Sequence, residues 1–176
     1  MKLIALCGAA GAGKDTVADM MPLKKLAFAD KLYEEVAEEF NVTAPWLRDR
    51  VIKDNPQPSL FGMTGREALC MVADRKREDD PDCYIKSLIR RIDRPCVVTD
   101  VRFHGEADAL RRLGAEIWQV VRPGITAGSS GHISDVDGSQ FMPDRIIKND
   151  RDLSELRAKV IASYNAFARI KLKDGR

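Results

Sequence analysis

The residues with the clearest chemistry lie close to the start of the chain. Gly8-Ala9-Ala10-Gly11-Ala12-Gly13-Lys14-Asp15-Thr16 spells G-x-x-x-x-G-K-x-T. Glycines let a backbone turn tightly enough for successive N–H groups to point at one anion. A helix starting behind the turn adds its positive end, and Lys14 adds a point charge. The P-loop pattern asks for Ser or Thr directly after the lysine. Here Asp15 intervenes and Thr16 follows, so either can approach Mg²⁺, directly or through water. The pattern predicts binding of a nucleoside triphosphate such as ATP, with Gly11, Ala12, Gly13, Lys14, Asp15 and Thr16 on the donor phosphates. The competing reading is a glycine turn with an incidental lysine. An apolar run before the loop and a helical pattern after it favour the phosphate loop.

A second group lies further along. Cys96-Val97-Val98-Thr99-Asp100 reads as a buried strand ending in a carboxylate, and Arg102 follows. Asp100 is placed like a Walker-B carboxylate, suited to metal through water; orienting Arg102 or Lys14, or a plain ion pair, are the alternatives. Arg102 can grip a phosphate bidentately, against the simpler reading of a surface arginine paired with Glu106. Arg66 falls in the first turn of a capped helix, where a cation opposes the dipole unless an anion partners it. Tyr84 can stack on a base, but its helical spacing with Ile85 and Leu88 suits a core equally. Asn149 and Asp150 precede the last helix and serve equally well as helix caps. Asp135-Val136-Asp137-Gly138 matches D-x-x-G, yet no N-K-x-D follows, so a GTPase is not supported.

The elements needed to position these residues are legible as alternating patterns. Apolar runs at Leu3–Cys7, 26–29, 96–100, 117–121 and 145–148 predict strands. Helices are expected over 14–21, around Leu32, Val36 and Phe40, and around Ala107, Leu110 and Leu113, with a last one from Leu153 to Phe167. Thr64-Gly65-Arg66-Glu67 fits a capping box, and Asp80-Pro81 an N-cap with proline at the first helical position. Residues 41–63, with Pro45, Pro56, Pro58 and Gly62, read as a long loop or mobile insertion. Strand–helix alternation with long crossovers predicts an α/β fold: one open parallel sheet between helical layers, with ligands outside the carboxyl ends of the strands.

Composition limits the alternatives. At 176 residues the chain is about one domain by the usual ~150 residues each. Lys+Arg of 29 against Asp+Glu of 27 gives a net charge of +2, which argues against polymeric nucleic acid and anionic membranes as partners. No apolar stretch is long enough to span a bilayer, and Met1–Cys7 runs straight into the glycine loop rather than a signal sequence. Cys7, Cys70, Cys83 and Cys96 form no C-x-x-C pair, which fits reduced thiols in a cytoplasmic protein.

Gly13-Lys14-Asp15-Thr16, Phe28-Ala29-Asp30, Thr64-Gly65-Arg66-Glu67, Thr99-Asp100-Val101-Arg102-Phe103 with Glu106, Val121-Arg122-Pro123-Gly124, His132-Ile133-Ser134 and Asn149-Asp150 occur in one order and spacing. In this the chain resembles the deoxynucleoside monophosphate kinases of bacteriophages, from Met1 to about Val160. The resemblance implies transfer of the γ-phosphoryl group of ATP, with Mg²⁺, to a deoxynucleoside 5′-monophosphate. It also implies a three-layer P-loop kinase fold in a single domain, with a substrate-binding helical segment over about 41–95 and a short lid-like loop over about 124–143. Lys14, Asp100 and Arg102 are then the catalytic set. Arg122, Asn149 and Asp150 join the loop around ATP, and Ala10, Lys31, Tyr33, Arg66, Tyr84, Arg102 and Glu106 face the acceptor. Its partners are small molecules, with a homodimer left open. Dephospho-coenzyme A or phosphomevalonate kinase chemistry, or a non-catalytic nucleotide switch, would share the donor half.

Overall fold

The computed structural model describes residues 2–125 and 138–173. The strands are β1 Leu3–Cys7, β2 Lys24–Leu26, β3 Cys96–Val98, β4 Glu116–Val121 and β5 Arg145–Lys148. The helices are α1 Lys14–Asp19, α2 Ala29–Glu39, α3 Ala44–Arg48, α4 Arg50–Asp54, α5 Gly65–Asp79, α6 Cys83–Arg91, α7 His104–Arg112 and α8 Leu153–Lys173. They divide into two compact units, Met1–Ala27 with Ile92–Arg176, and Phe28–Arg91.

The first unit holds the sheet. Its strands run in the order β2-β3-β1-β4-β5, and every pairing is parallel. β1 is central and wholly buried, as its unbroken apolar sequence requires of a strand covered on both faces. Ile4, Leu6, Val97, Trp118, Val120 and Ile147 pack on one side against Val17 and Ala18 of α1 and Leu156, Val160 and Phe167 of α8. Trp118 and Phe167 meet edge to face with ring centroids 6.2 Å apart. Alternate residues such as Ala5 and Ile117 point to the other face, where α7 lies against β1 and β4. This is the expected open parallel sheet between helical layers. Gly114, at φ 80°, follows the end of α7 and turns the chain into β4.

One strand is displaced from its expected place. β2 covers Lys24–Leu26, aligned on Cys96–Val98, while Ala29 already begins α2. The apolar run 26–29 suggested a later start. At a sheet edge the outer side faces water, so Lys24 and Lys25 are admissible strand residues. They are satisfied by carboxylates, Lys24 on Asp93 at 2.8 Å and Lys25 on Asp19 at 2.8 Å. α1 stops at Asp19, two residues short of the expected end, and α6 starts at Cys83, beyond Pro81.

The second unit is helical, with a core of Tyr33, Val36, Leu47, Leu60, Ala68 and Val72. The expectation of a long loop over 41–63 is wrong: α3, α4 and a 3-10 turn at Pro58–Leu60 occupy it. Thr43 accepts the Trp46 N–H at 3.3 Å, and Asp49 accepts the Val51 N–H at 2.7 Å. Pro45 sits in the first turn of α3, where its missing N–H is no loss. The Thr64–Glu67 capping box forms as expected, with bonds of 3.1 and 2.7 Å. Gly65 then lets α5 approach α4, because a Cβ there would lie 3.0 Å from the Ile52 carbonyl oxygen.

Candidate active site

The turn between β1 and α1 is shaped by glycines in conformations that other residues avoid. Gly8, Gly11 and Gly13 have φ of 135°, 81° and 99°. Gly8 is also sterically fixed, since a Cβ would stand 2.3 Å from the Val120 carbonyl oxygen. Ala12 N–H donates to the Ala9 carbonyl at 3.2 Å, and Val17 N–H to Gly13 at 3.0 Å, which closes the turn and opens the helix. Ala10 and Gly11 are exposed at the crest of the loop.

Lys14 lies over this turn. Its ammonium donates to the carbonyls of Gly8 at 2.7 Å and Ala9 at 3.0 Å. Burial lowers its pKa below the usual lysine value, and the positive charge of Arg102 lowers it further; Asp15 and Asp100 pull the other way. Lys14 therefore feels the charges of Arg102, Asp15 and Asp100 near the carboxyl ends of β1 and β3. Asp15 and Thr16 are exposed in the first turn of α1, and Asp15 reaches Lys25 at 3.5 Å.

Glu106 is buried, and its carboxylate accepts the backbone N–H groups of Arg102 at 2.8 Å and Phe103 at 3.1 Å. It thus fixes the backbone that carries Arg102 and caps the start of α7. The signal was present in the sequence, since Glu106 stands at the third helical position after Phe103. On the other side of the loop, Arg122 is exposed in a turn closed by Ile125 N–H on the Arg122 carbonyl at 3.1 Å. The Ile125 side chain lies 4.0 Å from where a Gly11 Cβ would sit, so this turn adjoins the phosphate loop.

Asn149 and Asp150 separate. The Asn149 side-chain amide donates to the Ala12 carbonyl at 2.9 Å, a contact no spacing in the sequence announces. Asp150 pairs instead with Lys159 of α8 at 2.5 Å, which holds its carboxyl below the usual range. The lid expected over 124–143 is described at Gly124–Ile125 and from Gly138 onward. His132, Ser134, Gly128 and Gly131 lie outside the described residues. Gly138, at φ 85°, packs under the loop: a Cβ there would lie 2.6 Å from Cys7 Sγ and 2.9 Å from Gly8 N.

The other residues expected at the acceptor belong to the helical unit. Arg66 leaves the first turn of α5 and pairs with Asp54 at 3.0 Å, more than half exposed. Lys31 reaches Glu35 at 3.8 Å along α2. Tyr33 is buried, with the Arg48 guanidinium 4.2 Å and the Lys53 ammonium 5.3 Å from its ring centre. The sequence did not mark these two cations. Tyr84 is 4% exposed and donates its hydroxyl to Glu35 at 3.1 Å. Its ring packs as core in this unit.

Among the described residues no cluster of His, Cys, Asp and Glu could hold a metal by itself. Mg²⁺ typically takes only one or two protein ligands alongside phosphate oxygens. Asp15, Thr16 and Asp100, exposed or partly exposed around Lys14, suit such a role.

A family model described as deoxynucleotide monophosphate kinase matches residues 81–160, a stretch that includes Asp100, Arg102, Glu106, Arg122 and Asn149. The chain is 27% identical to a protein of Acanthamoeba polyphaga mimivirus, provisionally named a deoxynucleotide monophosphate kinase, over 92% of this chain and 95% of that one. In structure it is similar to a dephospho-CoA kinase from Campylobacter jejuni, with a TM-score of 0.52 at 12% identity over 94% of this chain and 97% of that one. That likeness shows a shared fold, which does not by itself fix a function.

Proposed function

We propose that this chain is a member of the deoxynucleotide monophosphate kinase family and that it transfers the γ-phosphoryl group of ATP to a deoxynucleoside 5′-monophosphate, giving ADP and a deoxynucleoside diphosphate. The observation that carries this reading is the glycine-shaped turn, with Lys14 bonded to its Gly8 and Ala9 carbonyls and subject to the charges of Arg102, Asp15 and Asp100.

Phosphoryl transfer asks for two phosphates in line and compensation of their charge. The N–H groups of Gly11 to Thr16 cradle the donor phosphates. Lys14 exchanges its bonds to the Gly8 and Ala9 carbonyls for phosphate oxygens. Asp15, Thr16 and Asp100 would hold Mg²⁺, in part through water, and the ion would supply compensation of phosphate charge. Arg102, on backbone fixed by Glu106, supplies a second cation for phosphate. Arg66 takes the acceptor phosphate in exchange for Asp54. Arg122 and its turn cover the donor nucleotide and limit water, which suppresses ATP hydrolysis.

The test is an assay coupled to ADP release across deoxynucleoside monophosphates, dephospho-coenzyme A and phosphomevalonate. Activity on the nucleotides alone is expected. Turnover of only a non-nucleotide acceptor would overturn the proposal, and tight ATP binding with no acceptor used would favour a nucleotide switch.

A further inference from the structure

We propose that Asn149 is the positioning residue of the phosphate loop: its carboxamide clasps the Ala12 carbonyl against Gly13 and so fixes the N–H groups offered to the donor phosphates. The inference rests on the nucleotide-binding role of that loop.

A turn with Gly8, Gly11 and Gly13 all at positive φ has more freedom than any other backbone and loses more on ordering. Something must hold it before the nucleotide arrives, or the ordering is charged against affinity. The Lys14 bonds to Gly8 and Ala9 are poor permanent restraints, because the same ammonium serves the phosphate. The Ala12 to Ala9 bond is local to the turn. The Asn149 bond is different: it reaches across from the end of β5, and Asn149's own N–H donates to the Val121 carbonyl at the end of β4, at 2.8 Å. The clasp therefore ties the loop to two neighbouring strands of the sheet. Ala12 is held at both of its polar groups, its N–H by Ala9 and its carbonyl by Asn149.

Residue type follows from the chemistry. The Ala12 carbonyl is an acceptor, so the group facing it must donate, which assigns the amide nitrogen rather than the oxygen of Asn149. An aspartate there would set lone pairs against lone pairs and put a negative charge beside the phosphates. Gly13 completes the fit, since a Cβ on it would stand 2.6 Å from the Asn149 amide nitrogen. The carboxamide occupies space that only glycine leaves open.

The experiment compares the full-length protein with Asn149→Ala and the near-isosteric Asn149→Asp. ATP affinity is measured by calorimetry without acceptor, beside steady-state kcat, both KM values and thermal melting. Loss of one neutral hydrogen bond should weaken ATP about five- to tenfold in Asn149→Ala, and Asn149→Asp should lose more. The KM for the monophosphate and kcat at saturating ATP should stay close to those of the unaltered protein, while the orphaned Ala12 carbonyl lowers the melting temperature by about 2–4 °C. Unchanged ATP affinity in Asn149→Asp would overturn the inference, as would equal losses in both KM values. If Asn149→Ala fails to fold, Asn149→Asp decides by the same criteria. An unaltered protein that binds ATP but phosphorylates no nucleotide would defeat the proposed function, while the affinity comparison would still judge Asn149.

Discussion

Lys14 and Arg66 are both assigned to phosphate, yet the two units hold them in opposite ways. In the sheet unit Lys14 is partly buried and bonded to main-chain carbonyls, with its pKa lowered by burial and by Arg102. In the helical unit Arg66 is more than half exposed and paired with Asp54, as Arg48 is with Asp30 at 2.8 Å. Main-chain carbonyls cannot move away, but a carboxylate on a surface ion pair can. Such pairs contribute roughly 0–1 kcal/mol, so a phosphate dianion displaces one easily. On the proposed function, Lys14 is thus held by backbone and Arg66 by an exchangeable side chain.

Several substitutions can break that contrast. Lys14→Ala should lower the transfer rate by roughly 10²–10³-fold, with a loss of about 1 kcal/mol in stability from the orphaned carbonyls; single-turnover kinetics and denaturant unfolding read the two effects separately. A paired comparison of glycines comes next. Gly8→Ala drives a Cβ to 2.3 Å from Val120 O, whereas Gly62, also at positive φ, has nothing within 4 Å. Unfolding should show a loss of about 3 kcal/mol or more for Gly8→Ala and about 1 kcal/mol for Gly62→Ala; equal losses would erase the distinction between a rigid and an adaptable half.

Arg102→Ala and Arg66→Ala should each raise the monophosphate KM by about ten- to a hundredfold, the value of a charge-assisted hydrogen bond, while ATP binding is spared. Arg102→Ala also tests the charge coupling. Phosphate favours the protonated lysine, so ATP affinity falls as pH rises through the lowered Lys14 pKa, below the ordinary 10.5. Removing Arg102 lifts that pKa part of the way back, because burial, the larger cause, remains. The alkaline limb of kcat/KM for ATP should move to higher pH. An unmoved limb would separate the two cations. The smallest effect is expected from Asp54→Asn, which frees Arg66 and should lower the monophosphate KM about twofold.

What could be read from the sequence was local. The turn before Lys14, the Thr64–Glu67 cap and the buried strand ahead of Asp100 announce themselves within a few residues. β2 is hidden because an edge strand tolerates lysines that look like loop. Residues 41–63 read as a loop because Pro45, Pro56, Pro58 and Gly62 are loop signals, yet Pro45 and Pro58 open α3 and the 3-10 turn. The Asn149 clasp left no mark, because no sequence spacing records a bond between residues 137 positions apart.

That separation bears on synthesis. A chain emerging from the ribosome exposes Gly8 to Lys14 early, but the carboxamide that shapes them comes more than a hundred residues later. On the proposed role of Asn149, the growing polypeptide has no finished seat for a triphosphate until β5 has been translated and docked.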